Sequence, residues 1–342
     1  MPDRKSRVCL VPNVSGVGGM VSFRAKLASG LAQRGISVST GLADVPYAAV
    51  LVIGGTRDLL GLRRLKKRGV RIVQRLDGMN WIHRKRRTGL RHYLRAEYGN
   101  IILSLIRSRL ADHIVYQSTF SRQWWERVYG FTRVPSQVVY NGVDLDRYSP
   151  IGEGMVPEDR LRILLVEGSI GGGYEWGLET GITLAERLVF AHSRNIEVMV
   201  VGKISASLQQ RWENHPSVQL HFTGQVPAEK VPELDRSAHV LYAADINAAC
   251  PNSVIEAMAC GLPIVAYDTG ALSELVTDGA GCLAAYGGDP WKLDPPDIDT
   301  LAEAANAVIN NQTAYRIAAR ARAENAFCLD GMVAGYLDAL NL

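Results

Sequence analysis

The chain has 342 residues, 47% hydrophobic and 21% charged, with five cysteines and a formal net charge of +4. That composition excludes a disordered chain, and no run of about 18 apolar residues is present to cross a bilayer. The odd number of cysteines without C-x-x-C spacing excludes a disulfide framework and fits reduced thiols in a cytosolic compartment.

The opening apolar run is cut by Pro12 and Asn13, so no signal peptide is expected. Its strand, Val8–Val11, leads through Gly16, Gly18 and Gly19 into an amphipathic helix predicted over Met20–Arg34 and ended by Gly35. Glycine lets a backbone approach a ligand closely, and free amides at a helix start attract anions, so Gly18 and Gly19 are candidates for phosphate contact. The spacing is not G-x-G-x-x-G, which disfavours a dinucleotide fingerprint, and a plain strand-to-helix turn is the alternative. Further strands are expected at Val50–Ile53, Ile72–Arg75, His113–Gln117 and Gln137–Tyr140, with a long helix around Leu90–Leu110. Arg75 and Asp77 stand where the Ile72–Arg75 run ends; a charged pair at the carboxyl end of a strand is a functional candidate, against the alternative of Asp77 capping a turn at Gly78. His83 has a loop context and His113 a structural one.

Charge divides the chain. Residues 1–150 hold 26 Lys and Arg against 9 Asp and Glu, whereas residues 151–342 hold 12 against 25. The clusters at 63–68 and 84–87 are solvated faces in the bland reading and an attraction for an anionic membrane or acidic substrate in the sharper one. No zinc-finger, RNP-like or coiled-coil pattern accompanies them, so nucleic acid is not expected as a partner.

The Gly- and Pro-rich segment 141–159 reads as a linker, and the strand–helix alternation restarts after it. Strands are expected at Arg162–Val166, Glu197–Val201, Val218–Phe222, His239–Tyr242 and Pro263–Tyr267, with helices at Leu178–Ala191, Leu208–Asn214, Val231–Arg236, Ser253–Cys260, Thr300–Asn325 and Asp330–Leu340. Gly171, Gly172 and Gly173 follow the first of these strands and form a second candidate phosphate cradle. The run from Cys250 to Ala266 predicts a short helix with Ser253 as N-cap, Glu256 as its capping-box partner and Gly261 as its end. The architecture this predicts is α/β, two doubly wound parallel sheets with ligands outside the carboxyl ends of their strands.

The segment P-N-S-V-I-E-A-M-A-C-G-L-P-I-V-A, with Gly270 and Glu274–Val276 beyond it, resembles the donor-binding signature of the retaining GT-B glycosyltransferases of the group 1 family, also called family 4. Gln117–Ser121, Tyr140–Tyr148, Phe222–Val226 and Ser237–Val240 resemble further family elements in the right order. The resemblance implies two Rossmann-like domains facing a central cleft: an acceptor domain at 1–150, a nucleotide-sugar domain at 151–328, and a helix at 329–342 returning to the first. It implies that Glu256 holds ribose hydroxyls, that Asn252, Ser253 and Val254 face the diphosphate or sugar, that Val226 touches the base, and that Gly18 and Gly19 approach the phosphate. Asp77, with Arg75, stands near the place of the family's cleft histidine. Two positions depart from the family. Ala248 replaces an acid that contacts the transferred sugar, with Asp245 or Asn247 as substitutes. The loop Gly168–Gly177 lacks the usual Arg and Lys, leaving the amides of Gly171–Gly173 and Lys203 to take over.

The D-x-D pairs at Asp144/Asp146 and Asp297/Asp299 are weak signals, and neither a catalytic metal nor any cofactor besides the nucleoside-diphosphate sugar is expected. The activity expected is sugar transfer with retention of configuration to an anionic or membrane-associated acceptor, in the cytoplasm and on the inner face of the membrane. A catalytically weak sugar-nucleotide binder and a nucleotide-sugar epimerase on the same fold stay open.

Overall fold

The computed structural model describes residues 7–16, 18–87, 89–171, 175–192 and 195–342. The chain divides into two units, Met1–Gly142 with Phe327–Leu342, and Val143–Ala326.

In the first unit the order is β1 (Arg7–Val11), α1 (Gly19–Gln33), β2 (Ser37–Ser39), β3 (Ala49–Ile53), α2 (Leu59–Lys67), β4 (Arg71–Leu76), α3 (Leu90–Leu105), β5 (His113–Tyr116), α4 (Thr119–Tyr129) and β6 (Ser136–Val138). A single 3-10 turn occupies Ile82–Arg84, and α3 continues as a π-helical turn over Ile106–Leu110. The strands pair in parallel in the order β2-β1-β3-β4-β5-β6. All five residues of β3 are buried, as a strand covered on both faces requires. Ser118 and Ser121 bond each other's backbone amides and start α4.

The second unit repeats the scheme with β7 (Arg160–Ile170), α5 (Glu175–His192), β8 (Asn195–Ile204), α6 (Ala206–Trp212), β9 (Gln219–Gly224), α7 (Val231–Arg236), β10 (Val240–Ala243), α8 (Asn252–Ala259), β11 (Ile264–Tyr267), α9 (Leu272–Leu275), β12 (Gly281–Ala284), α10 (Ile298–Asn310) and α11 (Gln312–Ala326). Its parallel order is β12-β11-β10-β7-β8-β9. The last helix, α12 (Leu329–Leu340), belongs to the first unit. Its Met332, Val333 and Tyr336 join a core with Val8, Phe23 and Leu27. Gly30 of α1 makes that packing possible, because a Cβ there would lie 2.4 Å from Cγ2 of Val333.

Three expectations change. The helix predicted over Thr300–Asn325 is two helices, parted at Asn311. The strand expected to end at Val166 runs on to Ile170 past a bulge between Val166 and Ser169, so the start of the expected loop is ladder, with Ser169 beside Lys203. The division between units falls after Gly142 rather than at residue 150: Val143 and Tyr148 are buried, and the carbonyls of Leu145 and Tyr148 accept from Arg320 of α11.

Candidate functional site

A doubly wound sheet leaves a gap where the connections leave one strand in opposite directions, and ligands bind there outside the strand carboxyl ends. In the second unit that place lies between β7 and β10, which are paired neighbours. A small depression, open to solvent, sits there, lined by Glu167, Ser169 and Asp245 among apolar Leu165, Ile170 and Leu178. Burial pushes the carboxyls of Glu167 and Asp245 above the ordinary carboxylate range, and the charge of Asp245 adds to the rise at Glu167. Asp245 was a candidate from sequence; Glu167 was not, because one acid in a glycine-rich stretch gives no sign of its neighbour in the loop after β10.

Gly202 of β8 fixes the backbone of Glu167. Its φ is +138°, and a Cβ there would lie 1.9 Å from the Glu167 carbonyl oxygen. Lys203, next along, is exposed. Gly171 is described, whereas Gly172 and Gly173 lie outside the described residues.

The loop after β10 leads to α8. Pro251 occupies the N-cap position without a side-chain cap, so the helix begins at Asn252 and Ser253 stands inside its first turn. This corrects the expected Ser253–Glu256 capping box: the fixed φ of Pro251 (−69°), with an extended ψ, places the N-cap two residues before Ser253. The first-turn amides of Asn252, Ser253 and Val254 precede the intrahelical ladder. The Val254 side chain is buried, which leaves only its backbone for a ligand. Glu256 is half-buried one turn further along. Its charge raises Tyr148, Asp235 and Cys260, each of them pushed up first by burial. Ala248, where the resemblance implies an acid, is buried and fixed by the Gly270 turn, whose φ is +65°; Ala271 N donates to Ala248 O at 2.9 Å. Val226 is half-buried after β9.

In the first unit, Gly18 is the N-cap of α1 at φ +135°, and Gly19 is its first residue. Nothing lies within 4 Å of a Cβ built on Gly18, so the backbone conformation, not space, demands glycine. Arg75 is 1% exposed; its guanidinium carbon lies 3.9 Å from the Phe23 ring centroid. One Nη donates to Asn141 Oδ1 at 3.1 Å, Asn141 donates on to Gln117 Oε1 at 3.2 Å, and the remaining guanidinium nitrogens are buried without a partner. Asp77, two residues on, is half-buried; burial raises its carboxyl while Arg75 pulls it down. Its carbonyl accepts from Trp125 Nε1 at 2.7 Å. His83 is not in an open loop: it is buried in the 3-10 turn, with Nε2 2.8 Å from Glu97 Oε1. His113 is half-buried, with Nε2 3.1 Å from Gln137 Oε1. Among the described residues no group of three or more His, Cys, Asp or Glu is placed to hold a metal ion.

Residues 163–311 match the sequence model of the family described as Glycosyl transferases group 1, and residues 52–147 that of Glycosyltransferase Family 4. The chain thus carries a group 1 glycosyltransferase domain and a family 4 glycosyltransferase domain. An uncharacterized glycosyltransferase of Methanocaldococcus jannaschii is 25% identical over 146 residues, 42% of this chain and 37% of that protein, so the match spans little more than a third of the relative's length. Sucrose-phosphate synthase from Thermosynechococcus elongatus superimposes with a TM-score of 0.75 at 15% identity, covering 98% of each chain. HepE of Anabaena, solved with UDP and glucose, gives 0.69 at 15% identity over 98% of this chain and 99% of its own. These likenesses establish the GT-B fold. Within the family model's span lie Glu167, Asp245, Asn252, Ser253, Val254 and Glu256; Arg75 and Asp77 lie within the other.

Proposed function

We propose that this group 1 glycosyltransferase moves a sugar from a nucleoside diphosphate to an anionic or membrane-associated acceptor, with retention of configuration. The product would be a cell-surface glycan, glycolipid or related glycoside, made on the inner face of the membrane. The observation that carries the reading is the start of α8: unpaired first-turn amides, with a half-buried carboxylate one turn along, beside the switch point of a doubly wound sheet. Glu256 would accept the two ribose hydroxyls, and the amides of Asn252, Ser253 and Val254 would meet the diphosphate. Val226 would face the base, and Gly171 with Lys203 would add an amide and one cation. HepE, solved with UDP and glucose, supports a sugar nucleotide as the ligand class.

For retention, the acceptor hydroxyl attacks on the face from which the diphosphate departs, and a departing oxygen takes its proton. Asp77 would orient the acceptor, with Arg75 beneath it keeping the strand end in place. Few cations stand by to neutralise the leaving group, so hydrogen-bond donors carry that load. No metal enters this scheme.

Calorimetric titration with UDP and UDP-sugars tests it. Glu256→Ala should weaken binding about 10- to 100-fold, the loss of a charged hydrogen-bond pair worth about 1.5–3 kcal/mol. Equal affinity in the variant, or no nucleoside diphosphate bound by the wild type, overturns the reading. Ala248 and the cation-poor loop favour one rival, a weakly catalytic sugar-nucleotide binder; release of free nucleoside diphosphate only in the presence of acceptor separates the two.

A further inference from the structure

Helix α3 is apolar on the side away from the protein. Ala96 and Asn100 are its buried residues; Asn100 Nδ2 donates to Asn80 O at 2.8 Å, and Asn80 N donates to Asn100 Oδ1 at 3.1 Å, which fixes that face inward. Leu90, Leu94, Tyr98, Ile101 and Leu105 follow at spacings of four, four, three and four, which set them on one stripe. All five are exposed, Leu90 by 75%, Leu94 by 59% and Ile101 by 57%. By its 16 residues the stripe runs about 24 Å. An unbroken solvent-facing row of large apolar side chains marks an interaction surface.

Its charged setting selects the occupant. Arg91 and Arg95 flank the stripe, both exposed, and Lys85, Arg86 and Arg87 precede the helix, exposed too. The only acid of α3, Glu97, is taken by Arg84 through bonds of 2.5 and 2.7 Å. A second copy packed face to face would bring these arginines against their own images, which costs rather than stabilises. An apolar row with cations beside it and before it, on a single helix, is the shape of a helix lying in a bilayer interface.

We propose that α3 is the surface by which the first unit docks on an anionic lipid bilayer, Leu90, Leu94, Ile101 and Leu105 entering the acyl boundary and Arg91 and Arg95 meeting lipid headgroups. This deepens the membrane-associated acceptor reading above and takes its purpose from it. Full-length protein is sedimented with vesicles of phosphatidylglycerol and phosphatidylcholine, and with pure phosphatidylcholine. The wild type should be recovered with the anionic vesicles and not with the neutral ones. L94Q/I101Q should bind at least tenfold more weakly, and R91Q/R95Q should lose its preference for anionic lipid. Both pairs are exposed, so thermal unfolding should match the wild type and certify the fold. Unchanged vesicle binding by L94Q/I101Q, or none by the wild type, overturns the proposal. So does a wild-type dimer in gel filtration that L94Q/I101Q turns into a monomer, which would make the stripe a contact between copies. A parallel thermal-shift measurement with UDP keeps the readings apart: if UDP stabilises no variant, the transferase reading falls while the vesicle result still stands or falls by itself.

Discussion

Replacing Gly202 with alanine tests whether the acid-lined switch point depends on one close backbone approach. A Cβ at 1.9 Å from the Glu167 carbonyl oxygen falls more than about 1 Å short of ordinary contact. Strand β7 must then move away from β8 beside its bulge, at a cost of about 1–3 kcal/mol for overpacking. The φ of +138° adds about 1–3 kcal/mol of backbone strain. The sum, about 2–6 kcal/mol, falls on a unit whose size gives about 2–4 °C per kcal/mol, so its unfolding midpoint should drop by about 5–20 °C. Gly224→Ala is the control: its φ is +71°, but nothing lies within 4 Å of its Cβ, so strain alone should apply, at about 1–2 kcal/mol. Scanning calorimetry of both variants reads the difference. If Gly202→Ala and Gly224→Ala lose the same amount, contact with Glu167 does not set the position of that strand end and the reasoning fails.

Arg320→Ala removes a guanidinium that donates to Tyr148 O and Ala259 O, both at 2.7 Å; the orphaned carbonyls should cost about 2–4 kcal/mol, seen as a lower urea midpoint with an unchanged m value. Glu97 is held down to about 2, first by its hydrogen bond from Arg84, so its contribution is present above the ordinary carboxylate value and is lost as pH falls towards about 2. Glu97→Gln should therefore be about 1 kcal/mol less stable than the wild type at neutral pH, and the two should converge in acid. The pair Glu167 and Asp245 should oppose an anion more strongly as it ionises, so UDP affinity should fall as pH rises through about 7 to about 8. Asp245→Asn should flatten that fall; a titration series with identical slopes for the two proteins would show that UDP binds elsewhere.

The strands were readable because fully buried parallel strands are short apolar runs, and β3 and β11 are such runs. β2 is Ser37–Ser39, two of its three residues polar, and carries no such signal. The break at Asn311 is hidden because neither glycine nor proline marks it. Gly261 was readable as the end of α8, since its φ of +70° is a conformation that few other residues adopt. The start of α8 was misread because the capping rule weighs Ser253 and Glu256 while Pro251 sets the backbone before them. For α3 the sequence predicted a long helix but not which face it buries, because a period is the same whether a stripe faces core or water. Only the bonds between Asn80 and Asn100 settle which way it faces.

An acidic half of the chain is an odd place to hold a diphosphate, and the resolution lies in distance. Charges more than about 8 Å apart are largely screened at physiological salt, so the surplus of acids over bases in residues 151–342 matters little at any one point. For the proposed donor site, what would matter is the local set of groups: the first-turn amides of α8, Lys203, and whether Glu167 and Asp245 carry protons. Burial raises both of these acids, so near neutral pH the pair keeps part of its protons, and a protonated carboxyl repels nothing and can donate a hydrogen bond. The same screening acts in reverse on the basic half. Its cations count only where they crowd within one Debye length of a shared target, as Arg91 and Arg95 do one turn apart beside an apolar row about 24 Å long. Net charge therefore describes neither unit's task, whereas the local grouping of donors and apolar surface describes both.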